Sequence, residues 1–206
     1  MIKSNYVEAY YNMGNVLSDL GEFDKAIEAF KKGLLLKPNF AEIYNNMGNV
    51  FHHQGKLDKA IKALKKAISF KSNYLEAYIN LGVVLKDKSL FQKAIDVFNH
   101  VLSIKADSAE TYINLGNIYH DIGNLDDAIV AFKKAISIDP NYAEAHNNLS
   151  FSLLSSGKLR EGLDEYEWRW KTQKVMSSQR HFLKPLWNGK QSLKGKRILI
   201  WSEQGI

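Results

Sequence analysis

One arrangement of 34 residues recurs almost five times along this chain of 206 residues, and that period constrains the fold more than anything else in it. Residues 34 apart align as Tyr10, Tyr44, Tyr78, Tyr112 and His146, then as Met13, Met47, Leu81, Leu115 and Leu149. Directly after the second set come Gly14, Gly48, Gly82, Gly116 and, in the last unit, Ser150. Later in each unit stand Ala26, Ala60, Ala94, Ala128 and Gly162, followed by Phe30, Leu64, Phe98, Phe132 and Tyr166. A unit this short cannot bury its own apolar face. Neighbouring units must stack, giving a row of local cores and a long shared surface.

The spacing within a unit predicts two amphipathic helices. In the first, about Val7–Leu20, Met13, Val16, Leu17 and Leu20 recur at helical intervals. Gly21, Gly55, Gly123 and Gly157 then end the helix, because glycine tolerates the left-handed conformation that follows one. Asp24, Asp58 and Asp126 fit the N-cap of the second helix. That helix places Ala26, Ile27, Phe30, Leu34 and Leu36 on its buried side. Gly14 and Ala26 are small where the two helices must approach closely, and Pro38 and Pro140 close their units.

Large–x2–large–Gly–x2–large, then Ala–x3–aromatic, sometimes followed by Pro, resembles the tetratricopeptide repeat. The resemblance implies an all-α solenoid of about five helix-turn-helix repeats whose groove, rather than a pocket, carries the function. The units fall at 7–40, 41–74, 75–108 and 109–142, with a divergent fifth repeat and capping helix at 143–171. Residues 1–6 read as the end of a preceding repeat, since Ile2–Tyr6 matches Phe70–Tyr74; Met1 is then expected to be an internal position or a cut boundary rather than a designed terminus. In the fifth unit Arg169 stands where Gly33, Ala67 and Ala135 stand in others, and nothing after it repeats.

Composition narrows the chemistry. The absence of cysteine excludes disulfides, zinc thiolates and a cysteine nucleophile. No apolar run approaches a membrane span and the first residues carry no signal-peptide stretch, so a soluble, cytoplasmic protein without a membrane partner is the expectation. Residues 1–157 hold 17 basic and 17 acidic residues, while residues 158–206 hold 11 basic and 5 acidic ones. A neutral array gives no electrostatic reason to expect nucleic acid along its length.

The sixth position of every unit is asparagine: Asn12, Asn46, Asn80, Asn114 and Asn148. Three units repeat it at the ninth, as Asn15, Asn49 and Asn117. These residues lie on the first helix, away from Tyr10 and Met13, on the side expected to face the inner curve. Asparagine is a mediocre helix former, and its amide offers donors and an acceptor together. Such a ladder could hold an extended polypeptide by its main chain; its other use would be to bond neighbouring helices. It resembles the groove of the tetratricopeptide region of O-linked N-acetylglucosamine transferases. The basic clamp of repeats that bind acidic chaperone tails is absent: the second position is Glu8, Glu42, Glu76, Glu110 and Glu144, and the fifth is Tyr11, Asn45, Ile79, Ile113 and Asn147.

Metal chemistry and catalysis find no support here. His52 and His120 stand two repeats apart, about 20 Å at 8–10 Å per packed helix, too far to share an ion. They and His53 read as polar groove residues, while His100, His146 and His181 show no identifiable partners. No cofactor is expected in this chain.

From Trp168 aromatics and bases dominate, and Arg197–Trp201 reads as a buried strand whose outgoing loop is Ser202–Ile206. EYEWRW, then PLWNG, then GKRILIWSEQGI, resembles the junction at which bacterial tetratricopeptide repeats enter a heptosyltransferase-like glycosyltransferase domain. By that resemblance residues 172–206 are a linker and the first strand of an α/β domain. Ser202, Glu203, Gln204 and Gly205 would begin its acceptor-side loop, and a nucleotide sugar would bind only in a domain this chain lacks. The expectation is therefore the peptide-binding region of a glycosyltransferase, itself without a complete active site. The alternative is a free-standing scaffold whose Trp168, Trp170 and Trp187 merely cap the last repeat.

Overall fold

The computed structural model describes residues 5–171, and the side chains of 6–169. Among the described residues ten α-helices follow one another as five antiparallel hairpins. The first helices are α1 (Asn5–Asp19), α3 (Ala41–His53), α5 (Leu75–Asp87), α7 (Ala109–Asp121) and α9 (Ala143–Ser155). The second helices are α2 (Phe23–Leu36), α4 (Leu57–Phe70), α6 (Phe91–Ile104), α8 (Leu125–Ile138) and α10 (Leu159–Tyr166). A 3₁₀ turn, Glu167–Lys171, follows α10. The expected strand Arg197–Trp201 and the loop Ser202–Gly205 lie outside the described residues.

Close approach inside each hairpin explains the recurring glycine. A Cβ on Gly14 would stand 2.3 Å from the Phe30 ring, and one on Gly82 2.5 Å from that of Phe98. Phe30, Leu64, Phe98 and Phe132 are fully buried at those contacts, beside the equally buried Ala26, Ala60, Ala94 and Ala128. Gly33 makes a second close contact: a Cβ there would meet Ile43 of the next repeat at 2.6 Å. Small residues thus set the spacing both within and between repeats.

The turn between the two helices is a Schellman motif. In the first repeat Gly21 N–H donates to Ser18 O at 2.9 Å and Glu22 N–H to Leu17 O at 2.8 Å. Gly21, Gly55, Gly123 and Gly157 take φ between +69° and +80°, as their position in the sequence leads one to expect. The third repeat has Ser89 there instead, at φ +59°.

This tight turn moves the caps from where the sequence placed them. The second helices begin one residue before Asp24, Asp58 and Asp126, so their N-caps are Glu22, Lys56 and Asn124. Only Asn124 of these caps with its side chain, accepting from Asp127 N–H. The aspartates occupy the first turn instead, where their charge opposes the positive end of the helix dipole. Similarly, α1 spans Asn5–Asp19 rather than Val7–Leu20.

Stacking is asymmetric. Each second helix packs on its own first helix and on the first helix of the following repeat. Successive first helices also touch one another, whereas successive second helices do not. The array therefore curves with α1, α3, α5, α7 and α9 on its inner side.

Candidate functional site

The inner surface carries side-chain hydrogen bonds that join the first helices of repeats one and two, two and three, and four and five. Asn46 Nδ2 donates to Asn15 Oδ1 at 2.7 Å, and Asn148 Nδ2 to Asn117 Oδ1 at 2.9 Å. Asn80 Nδ2 reaches Asn45 Oδ1 at 2.9 Å, while Asn45 Nδ2 donates to Glu76 Oε1 at 2.8 Å. The sixth-position amides thus turn partly between the hairpins. Five of the eight asparagines singled out in the sequence, Asn15, Asn46, Asn80, Asn117 and Asn148, hold neighbouring first helices together.

Asn12, Asn49 and Asn114 differ: none makes a side-chain hydrogen bond among the described residues. Asn12 is exposed and the other two are half-buried. Their amides keep two donors and an acceptor each for a ligand. Sequence reasoning passed over Asn45, which is fully buried and, like Asn46, makes three side-chain hydrogen bonds. Its signal was faint: the fifth position is aromatic or apolar in three units and polar in two.

His52 and His120 join the same surface. His52 Nε2 lies 2.6 Å from Asp87 Oδ2, and His120 Nδ1 lies 2.9 Å from Ser152 Oγ, each bridging to the next repeat. His53 stacks on Phe23 at 5.8 Å. Two histidines do have partners, contrary to expectation. His100 contacts the Tyr78 ring at 4.7 Å. His146 is buried, with Nδ1 2.5 Å from Glu165 Oε2, Nε2 3.1 Å from Pro140 O, and its ring stacked on Trp168 at 3.8 Å. Trp168 therefore covers α9, as a cap would. Trp187, His181 and the side chain of Trp170 lie outside the described residues. Among the described residues no three histidine or carboxylate groups converge as a metal ion would need.

Carboxylates border the inner surface. Tyr74 is pushed well above the usual tyrosine range by burial first, then by Glu76 and Glu42 beside it. Tyr142 is raised in the same way, by burial and then by Glu144 and Glu110. Each of these tyrosines thus sits between the second-position glutamates of consecutive repeats. On the opposite, outer side an open recess of about 660 Å³ lies between α6 and α8, floored by Tyr112, Leu115 and Tyr119. Among the described residues no helix is long and apolar enough to cross a membrane.

Comparison with known proteins bears on this architecture. A family model described as TPR repeat matches residues 14–55, 48–89 and 116–157, together more than half of the chain. A second, described as tetratricopeptide repeat, matches residues 75–108. These matches end at residue 157, so the glycosyltransferase-like continuation finds no support in them. No curated protein sequence matches the chain. Among solved structures, MamA is 28% identical, covering 87% of this chain and 98% of its own, with a TM-score of 0.70. The Pseudomonas aeruginosa protein pilF is 17% identical over 84% of this chain and 80% of its own, at a TM-score of 0.74. YrrB, described as a TPR protein with an unusual peptide-binding site, is 22% identical over 80% and 85%, at 0.62. The last two likenesses show the fold alone.

Proposed function

The chain belongs to the tetratricopeptide repeat family, and we propose that it is an interaction scaffold whose inner groove holds an extended polypeptide. One observation carries this reading: the first helices form a continuous inner surface on which Asn12, Asn49 and Asn114 present unengaged amides. An amide pairs equally well with the N–H or the C=O of any main chain, so it binds a peptide with little demand on side chains. The remaining amides hold the helices that position these three. YrrB offers a precedent for peptide capture on the same fold. No catalytic group is required for such a role.

A library of linear peptides displayed on phage and panned against the immobilised chain tests the proposal. Binders should emerge, and the double variant Asn49→Ala/Asn114→Ala should weaken them about tenfold, as expected for two lost hydrogen bonds of ordinary strength. Its melting temperature should stay unchanged, because neither amide makes a side-chain hydrogen bond among the described residues. A library that yields nothing, or binders indifferent to both substitutions, would sink it.

The reading that these repeats serve a glycosyltransferase rests on the sequence of residues 168–206. We keep it as a second proposal on the strength of the Ser202–Gly205 motif. A reading frame that continues beyond Ile206 with Gly-Asp and an α/β domain would support it, and one without either would remove it.

A further inference from the structure

Charge is divided between the two faces of the solenoid. The five first helices carry eight carboxylates and a single lysine, Lys86, a net −7. The second helices α2, α4, α6 and α8 carry ten lysines against six carboxylates, a net +4. The neutrality of residues 1–157 is thus a sum over an acidic inner side, a basic outer one and a net +3 in the segments outside these helices.

Two rows make up the inner acidity. Glu8, Glu42, Glu76, Glu110 and Glu144 stand in the first turn of every first helix. Contacts between successive first helices bring these glutamates to one border of the inner surface, where Tyr74 Oη donates to Glu76 Oε2 at 3.5 Å. Asp19, Asp87 and Asp121 end α1, α5 and α7 on the other border of the groove. Protein cations neutralise only part of this charge. Glu42 pairs with Lys71 at 3.2 Å, and Asp87 with Lys86 at 3.7 Å. Glu8, Glu110, Glu144, Asp19 and Asp121 have no ion pair among the described residues and are exposed. The groove floor between the two rows holds the unengaged Asn49 and Asn114.

We propose that the groove selects cationic polypeptide segments, with lysine or arginine side chains reaching the glutamate row while the main chain lies on the asparagine amides. This rests on the peptide-groove reading and adds the chemistry of its ligand. First helices stacked about 8–10 Å apart present one glutamate each. An extended chain advances about 3.3 Å per residue, so a basic residue at roughly every third position matches the row. Acidic segments are repelled by the same potential, which gives the groove a direction of choice as well as an attraction.

Three fluorescent peptides of about a dozen residues test it, sharing a glycine-serine frame with lysine, glutamine or glutamate at every third position. The lysine peptide should bind about tenfold or more tighter than the glutamine peptide, and the glutamate peptide should bind weakest. The advantage should fall in the Glu110→Gln/Glu144→Gln variant and in high salt, since exposed pairs are screened over about 8 Å at physiological ionic strength. Equal binding of the lysine and glutamine peptides overturns the charge preference and leaves the groove reading standing. A lysine advantage that survives the double substitution places the contact elsewhere and overturns it too. Failure of all three peptides removes the groove reading, and this inference with it.

Discussion

Glycine at the eighth position of a repeat and the large residue sixteen positions later are chosen together, since a methyl on Gly82 would lie 2.5 Å from a fully buried Phe98 ring. Both partners recur with the same period, but the sequence alone set Gly14 against Ala26, whereas a methyl on Gly14 would meet the Phe30 ring. Position 89 was not read: four repeats have glycine at the turn, but the third places Ser89 in the left-handed region with no side-chain hydrogen bond among the described residues. A residue with a Cβ is strained there by about 1–2 kcal/mol. Ser89→Gly should therefore stabilise the chain by up to about 1 kcal/mol, the gain reduced by the greater freedom of glycine in the unfolded state. Urea unfolding checks this, with Gly123→Ser as the reciprocal change, expected to destabilise. Opposite signs for the two substitutions would support the account; a loss of stability in both would defeat it.

Helices were readable from periodicity alone, whereas the contacts joining one helix to the next were not. Bonds such as Asn46–Asn15 and His52–Asp87 join residues 31 and 35 apart, and only the stacking geometry selects these pairs over others at similar separations. The caps were misplaced for a related reason: the Schellman turn draws the start of each second helix forward, onto Phe23 and Leu57. At the last hairpin, His146 takes the place of the tyrosines, and Glu165, Pro140 O and Trp168 all meet it. His146→Ala removes two hydrogen bonds and a stacked ring, a loss of about 1–3 kcal/mol. Because a solenoid is stabilised by nearest neighbours, the loss should stay local. Hydrogen exchange should rise in α9 and α10 and remain unchanged in α1–α4. Faster exchange throughout would show that the array unfolds as a single unit.

Net charge summed along the chain is neutral over residues 1–157, whereas summing it by helix separates acidic first helices from basic second ones, a division the 34-residue period makes legible. The same comparison by position reveals how the stack is held. The seventh position of the repeat is buried as Met47, Leu81, Leu115 and Leu149, and the tenth as Val50, Val84 and Ile118. On α1 the equivalent Met13 and Val16 are 44% and 58% exposed, because no second helix lies over them among the described residues. Identical side chains in identical repeat positions therefore contribute differently, according to whether a neighbour covers them. Met13→Lys and Met47→Lys put this to a direct test in the same chain. At position 13 the ammonium stays in water and stability should change by no more than about 0.5 kcal/mol. At position 47 the ammonium would enter an apolar contact between α3 and the first repeat without a partner, a loss of about 3 kcal/mol or more. Urea unfolding of the two variants measures the difference. Equal losses would mean that α1 is covered in solution and that the repeat at this end has a neighbour there.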